Sequence, residues 1–243
     1  FGVKNTEKDI NKARRGIGAI VENPSIYLNM SAYDNLKQQC ILLGKDEKQI
    51  LPTLKEVGLE NLYCEKKKAG DFSLGMRQRL GIAMALLGEP EFLILDEPMN
   101  GLDPAGIVGI RELILRLNRE RGITFLISSH ILTELSLVAT KYGIISKGRL
   151  LKEITAEQLH QECTKTTTFS AADPNALAEC IRSAFPESVM KRTNEGVSLL
   201  GDIDLNSILT AVLAENIKLL SINCSQTSIE EYYLSVIGGA RNG

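Results

Sequence analysis

The sequence has no apolar run long enough to cross a bilayer; its best stretches, Gly81 to Gly88 and Phe92 to Leu95, have the length of core segments. Any link to a membrane is therefore expected to pass through another protein. It also lacks a surplus of either charge. Lys and Arg number 28 against 30 Asp and Glu, a formal net charge of −2. That argues against nucleic acid as the main partner, because binding a phosphate backbone needs an excess of basic groups. No C-x-x-C pair occurs among Cys40, Cys64, Cys163, Cys180 and Cys224. An odd, scattered set fits reduced thiols better than a disulfide framework or a zinc site. There is no internal repeat, no low-complexity segment, and no charged-then-apolar leader after Phe1, Gly2 and Val3. With Phe rather than Met at its start, the chain is expected to be the inside of a longer protein.

What is present is an ordinary globular composition, 44 % hydrophobic and 24 % charged over 243 residues, enough for one sizeable domain and a smaller appendage. Arg15 to Val21 reads as a short strand running to a turn at Asn23-Pro24. Ser31 is placed to cap a helix that Gly44 closes, with Leu36, Cys40 and Leu43 on its apolar side. Asp46 to Val57 is a further helical candidate, strained in its middle by Pro52. The charge run Glu65-Lys66-Lys67-Lys68 reads as a solvated loop. Ser73 to Leu87 enters a buried helix, and Phe92 to Leu95 is a wholly apolar strand of the kind buried on both faces of a parallel sheet. Asp103 and Pro104 start another helix, with Ile107, Ile110, Leu113, Ile114 and Leu117 inward and Gly122 at its end. Ile123 to Ile127 follows as the next buried strand, which makes strand, helix, strand a parallel crossover.

Tyr142 to Ser146 and Arg149 to Glu153 form a predicted hairpin about Lys147-Gly148, and Thr155 with Gln158 makes a capping box. After Cys163 the pattern changes to strand (Thr166 to Phe169), helix (Asn175 to Phe185), strand (Val197 to Leu200), helix (Leu205 to Asn216), strand (Leu219 to Asn223) and closing helix (Ser228 to Ile237). Residues 1–163 are thus expected to be one domain, and 164–243 a small α+β domain with βαβ-like pieces. Nothing in that tail resembles a site. His160 reads as a surface residue, and Tyr232-Tyr233 as part of a half-buried terminal helix.

Four segments carry chemistry. In an open parallel sheet, ligands bind beyond the carboxyl ends of the strands. Asp96 and Glu97 stand there, where one acid can hold Mg²⁺ and the other can accept a proton from an attacking water. Taken alone, the same residues also fit a buried strand that meets solvent at two acidic turn positions. Ser73 and Gly75 open a helix whose N–H groups and positive dipole end suit a phosphate, though a capped core helix has the same form. Asn100 to Asp103 alone is a good helix start. His130 follows the next strand, on the same sheet edge as the acids, where an imidazole can hydrogen-bond a terminal phosphate.

Together these segments resemble the ABC ATPase family over Phe1 to about Glu153. Phe72 to Gln78 is similar to the signature motif, Phe92 to Pro98 to the Walker B strand, Asn100 to Asp103 to the D-loop, His130 to the H-loop and Glu22 to the Q-loop position. The resemblance implies an α/β, P-loop NTPase-like parallel sheet with a helical signature subdomain. It implies ATP and Mg²⁺ as cofactors, with Asp96 and Glu22 near the metal, Glu97 as catalytic base and His130 at the γ-phosphate. Two cassettes would pair head to tail, Ser73 and Gly75 reaching the nucleotide of the opposite subunit and Asp103 bridging the sites. The partners implied are a second ATPase subunit and transmembrane permease subunits, the latter met by the loop from Asn23 to Ser31. The chain would then sit in the cytoplasm, peripheral to the inner face of the cell membrane.

Leu74 and Met76 depart from the signature pattern, and Glu22 stands where the family usually has Gln. These features, with Met76-Arg77-Gln78-Arg79, look like the subfamily that exports bacitracin and lantibiotic-type peptides. Two other readings are a soluble ABC protein of translation or DNA repair and a non-hydrolysing regulatory module. The first usually carries two cassettes or long heptad coiled coils, which this sequence does not show. The second conflicts with the intact Asp96-Glu97 pair and His130. No G-x-x-x-x-G-K-[ST] occurs anywhere in the 243 residues, so the amide nest and Lys that hold the β- and γ-phosphates are not supplied. Apolar surface is expected to lie exposed where the strand and helix of that loop would pack. Residues 1–243 by themselves are expected neither to bind ATP tightly nor to hydrolyse it. A phosphate-release assay with Mg²⁺ and ATP checks this, and turnover by the 243-residue chain would overturn it.

Overall fold

The computed structural model describes residues 2, 4, 6–22, 24–163, 165–201 and 203–239. They divide into two compact units, Phe1–Val138 and Ala139–Gly243. In order, the first contains α1 (Ile10–Arg14), β1 (Ile17–Val21), α2 (Ala32–Leu43), α3 (Ile50–Glu56), α4 (Leu74–Leu86), β2 (Phe92–Asp96), α5 (Pro104–Arg121), β3 (Thr124–Ser128) and α6 (Leu132–Leu135).

The first unit is built on a parallel sheet of order β1-β2-β3. β2 sits in the middle because Leu93 and Leu95 are fully apolar and fully buried. Together with Ile20 they pack into a core that includes Leu80, Ile82, Ala83 and Leu86 of α4 and Ile110, Leu113, Ile114 and Leu117 of α5. The expectation of a second buried strand at Ile123 to Ile127 is corrected. Only Ile123 is buried there: Ala19, Ile94 and Leu126 share one row on the open face of the sheet, where Leu126 is 56 % exposed and Ile94 half-buried, so β2 too is buried on one face rather than both. Val21 on β1 is exposed as well, so apolar side chains do stand open on this sheet.

Local chemistry sets the helix ends. The Ser31 hydroxyl accepts from the Asp34 N–H at 3.1 Å and donates to the Asp34 carboxylate at 2.7 Å, and Gly44 ends α2 with φ 66°. Leu43 departs from expectation: the last turn of α2 turns Ile41, Leu42 and Leu43 outward. Buried Asn35 ties the preceding loop down, accepting from the Tyr27 N–H at 2.7 Å and donating to the Tyr27 and Ser31 carbonyls. Pro52 causes no strain. A 3₁₀ turn over Glu47–Gln49 precedes α3, so the ring falls in the first turn, where an N–H has no partner within the helix. Asp103 caps α5 by accepting from the Gly106 N–H at 3.1 Å, Pro104 takes the first helical position, and Gly122 (φ 66°) closes it.

The second unit begins with the antiparallel hairpin β4 (Lys141–Ser146) and β5 (Arg149–Thr155), turned at Lys147 and Gly148, both with positive φ. α7 (Ala156–Glu162) carries the capping box of Thr155 and Gln158. Then come β6 (Thr166–Ala171), α8 (Pro174–Ala184), β7 (Val189–Arg192), β8 (Gly196–Leu200), α9 (Leu205–Ala214), β9 (Leu219–Ser225) and α10 (Ile229–Gly239). β7 is an element the sequence reading lacked. With it the sheet has order β7-β8-β6-β9, every neighbour antiparallel. The βαβ-like pieces are therefore split: β8 lies between β6 and β7, and β6 between β8 and β9. This is the β-α-β-β-α-β arrangement of ferredoxin-like domains. Phe169, Val197 and Leu199 on the sheet face Leu177, Ile181, Ile208 and Val212 on the helices. A separate cluster joins the hairpin and α7 to α10 through Ile144, Ile154, Leu159, Cys163 and Tyr232. That cluster is why compactness divides the chain before the hairpin, although composition changes only after Cys163.

Gly81 shows how tightly the segment after β1 lies on the fold. A Cβ there would come within 2.3 Å of the Pro24 Cβ. In an open helix, Gly to Ala gains about 1 kcal/mol. Here overpacking reverses the sign: Gly81→Ala is expected to lower stability by about 1–3 kcal/mol, measured by urea or guanidinium unfolding.

Candidate functional site

The site is set by where three strands stop. β1, β2 and β3 run parallel with Val21, Asp96 and Ser128 in one row at their carboxyl ends. The ladder continues one residue further, with the Glu22 N–H donating to the Asp96 carbonyl at 3.2 Å and the Glu97 N–H to the Ser128 carbonyl at 3.1 Å. At that point the chain turns. Glu22 has φ 46° and Glu97 φ 48°, the left-handed region in which a side chain other than Gly costs about 1–2 kcal/mol. Two neighbouring strands thus end in the same strained conformation, each with a carboxylate on the strained residue.

Side chains then close a small network. His130 Nδ1 lies 2.8 Å from Glu97 Oε2, with the imidazole 63 % exposed and the Glu97 side chain 24 % exposed. The Ser128 hydroxyl donates to Asp96 Oδ1, and its oxygen accepts from the Glu97 N–H at 3.2 Å. Asp96, Glu97 and His130, named from the sequence, are therefore brought together. Ser128 was not named, because its role depends on register across β2 and β3 rather than on any motif. Its place directly before Ser129-His130, at the end of an apolar strand, was the available signal. Glu22 reaches the group through its backbone, and its side chain is exposed.

The other predicted residues form a second group. Ser73 caps α4 by accepting from the Met76 N–H at 3.2 Å, so its hydroxyl is engaged at the helix start. Arg77 folds back and donates to the Phe72 carbonyl at 2.9 Å. Leu74 and Gly75 sit against the turn that leads into α5: a Cβ on Gly101 (φ 71°) would lie 3.2 Å from Leu74 Cδ2, and one on Gly75 3.8 Å from Leu102 Cδ2. Asn100 anchors that turn to the first group, its N–H donating to the Glu97 carbonyl at 3.1 Å. Six residues of chain, Glu97 to Leu102, thus link the acid cluster to the start of α4. Among the described residues, no group of three or more His, Cys, Asp or Glu side chains is placed to hold a metal ion unaided. No helix among them is long and apolar enough to cross a membrane.

The sequence model of the ABC transporter family matches residues 2–100. The bacitracin transport ATP-binding protein BcrA of Bacillus licheniformis is 40 % identical over 246 residues, spanning 100 % of this chain and 79 % of the relative. The chain belongs to the ABC transporter ATP-binding family. The BcrA protein of Enterococcus faecalis is 36 % identical across 98 % of the chain and 77 % of its own length. The lantibiotic transport ATP-binding protein SrtF of Streptococcus pyogenes is 50 % identical over 139 residues, 57 % of this chain and 59 % of SrtF. Among solved structures, cbiO1 of Clostridium perfringens, part of the ABC transporter complex cbiONQ, overlays with a TM-score of 0.58 at 26 % identity, over 76 % of this chain and 70 % of that one. A dimeric ATP-binding cassette in a post-hydrolysis state with ADP and Pi overlays at 0.53 and 24 % identity, over 63 % and 68 % of the two chains; that likeness speaks for the fold. The ABC transporter subunit anticipated from Phe72 to Gln78, Phe92 to Pro98 and His130 is borne out as a family, as is its kinship to bacitracin and lantibiotic transport proteins.

The left-handed backbone at Glu97 carries a measurable consequence. Glu97→Gly removes a side chain from a conformation that Gly adopts freely. The variant is expected to unfold about 1 kcal/mol later than the parent, while losing the carboxylate that meets His130. Denaturant unfolding of the two proteins reads the difference, and an equal or lower midpoint for the variant counts against strain at this position.

Proposed function

We propose that this chain is the ATP-hydrolysing subunit of an ABC transporter, working in a cassette dimer that drives separate membrane subunits, with peptide antibiotics as the class of cargo. The observation that carries the reading is the 2.8 Å contact between His130 and Glu97 beside Asp96, at the carboxyl ends of parallel strands. Glu97, half-sheltered and held by an imidazole, is placed to accept the proton of an attacking water. His130 orients that carboxylate and, being largely exposed, is free to approach a terminal phosphate on its other side. The kinship to BcrA and SrtF supports the cargo class.

Mg²⁺ fits this donor set as an ion that arrives with the nucleotide. Mg²⁺ commonly takes one or two carboxylates and completes its shell with water and substrate phosphates, and among the described residues too few acids converge to cage it. Asp96 would hold it, with Glu22 at the neighbouring strand end, and when bound it neutralises charge developing on the phosphates. Ser73 and Gly75 would offer the α4 N-terminus to a triphosphate held by a second subunit, and Asp103 would bridge the two sites. The loop preceding Ser31, pinned by Asn35, would receive the membrane subunits. Residues 1–163 would form the cassette and 164–243 an accessory domain. The chain would lie in the cytoplasm, at the inner face of the membrane through its permease partners.

The test is made in the ATPase that carries a P-loop. Glu97→Gln is expected to lower turnover by about 10²–10⁴-fold with nucleotide affinity unchanged, and to leave a closed dimer detectable by size-exclusion chromatography in ATP. Turnover at the parent rate would remove Glu97 from the role of base.

A further inference from the structure

Beside the two acids stands a hydroxyl that neither the motifs nor the kinship single out. Ser128 is the last residue of β3 and lies opposite Asp96 in the parallel register. Its Oγ is shared between two contacts. It donates its proton to Asp96 Oδ1, and the same oxygen accepts the Glu97 N–H at 3.2 Å. The Ser128 carbonyl accepts that N–H too, at 3.1 Å. One residue on a neighbouring strand therefore touches the carboxylate of one acid and the backbone of the next, at the position where that backbone is forced to φ 48°.

The chemistry of each contact is different. A carboxylate is an acceptor only, so an O–H aimed at Oδ1 fixes its rotation and leaves Oδ2 as the oxygen to be offered elsewhere. A charge-assisted bond of this kind is stronger than one between neutral groups. The shared Glu97 N–H gives the left-handed turn two acceptors instead of one, which holds the residue in a conformation it would otherwise leave. The Glu97 carboxylate is itself fixed at its far end by His130. An Ala or Val at position 128 would keep the strand and its carbonyl but lose both contacts of the hydroxyl. Thr would keep them, and a β-branched side chain suits a strand.

We infer that Ser128 is a positioning residue of the site: its hydroxyl sets the rotation of the Asp96 carboxylate and braces the left-handed Glu97, aligning the two acids for hydrolysis. This rests on the roles proposed above for Asp96 and Glu97. The effect acts on geometry during turnover rather than on nucleotide capture. Small misplacements of such groups cost up to about 10²-fold in rate.

Two measurements test it. In the 243-residue chain without nucleotide, the side-chain ¹³C carboxyl signal of Asp96 is expected to shift in Ser128→Ala and to return toward the parent position in Ser128→Thr. An unmoved signal in Ser128→Ala overturns the contact. In the P-loop-bearing ATPase, Ser128→Ala and Ser128→Val are expected to lower kcat about ten-fold with KM for ATP within about two-fold, and Ser128→Thr to recover most of the rate. Parent kcat in Ser128→Ala, or a loss confined to KM, overturns the positioning role. Glu97→Gln assayed alongside separates the two claims. If it abolishes turnover while Ser128→Ala is harmless, only the role of Ser128 fails. If Glu97→Gln turns over normally, the hydrolytic reading itself fails, whatever the carboxyl signal shows.

Discussion

Everything at this site depends on three parallel strands ending in register. Val21, Asp96 and Ser128 share one row, and the next residue on each of the first two strands leaves the sheet through a left-handed turn. A parallel ladder sends all its strands out on the same edge, so groups from distant parts of the chain meet there without any loop having to reach. Asp96 and His130 are separated by a whole crossover helix, yet Glu97, directly after Asp96, contacts that imidazole. The core that fixes the row is ordinary in composition: Leu93 and Leu95 packed in one cluster with apolar residues of α4 and α5. Shifting the register by one residue would turn these leucines outward and Asp96 inward, so packing and chemistry are specified by the same alignment.

The strain at Glu22 and Glu97 follows from the same geometry. A strand that must end abruptly and present its next side chain at the sheet rim needs a sharp change of direction, and a left-handed residue supplies one. Gly would do so at no steric cost, but Gly has no carboxylate. Keeping Glu there costs about 1–2 kcal/mol per position, offset in part by the N–H to carbonyl bonds that continue the ladder at both sites. Asp103 is the contrasting case. Its acid sits in an unstrained capping position and stabilises α5 through the Gly106 N–H.

Much of this architecture was legible because it is written locally. Ser31 and Gly44, Asp103 and Gly122, and Thr155 with Gln158 each act within a few residues of themselves, and each bounds the element its chemistry predicts. The Phe92 to Leu95 run could be read as a central strand from four consecutive apolar residues before two acids, although only Leu93 and Leu95 are buried. What escaped the sequence depends on neighbours far along the chain. β3 looked buried by composition, but exposure is decided by which face of the sheet is covered, and Leu126 shares the open face with Ala19 and Ile94. β7 is four residues with two charges and has no pattern strong enough to separate it from a loop. The order β7-β8-β6-β9 follows from split crossovers that no spacing within the tail encodes. The conformation of Glu97 was invisible for a different reason: Glu is not a residue that favours positive φ, so its backbone state comes from the fold and not from its identity.

The two groups of site residues answer different physical needs. The acid cluster is held by side-chain contacts: imidazole to carboxylate, and hydroxyl to carboxylate and amide. The start of α4 is held by packing, with Leu74 against Gly101 and Gly75 near Leu102, while the Ser73 hydroxyl is occupied by its own helix. The segment Glu97 to Leu102 joins them, pinned at one end by the Asn100 N–H on the Glu97 carbonyl and pressed at the other by Leu74. A displacement of the α4 start would therefore be felt first at Gly101, whose φ of 71° leaves little freedom for other residues, and then at the backbone of Glu97. Conversely, any force on the Glu97 carboxylate acts on a residue whose N–H and C=O are both engaged. Coupling between the two groups thus has a physical route through six residues of backbone, and the glycine between them is the point at which that route can bend.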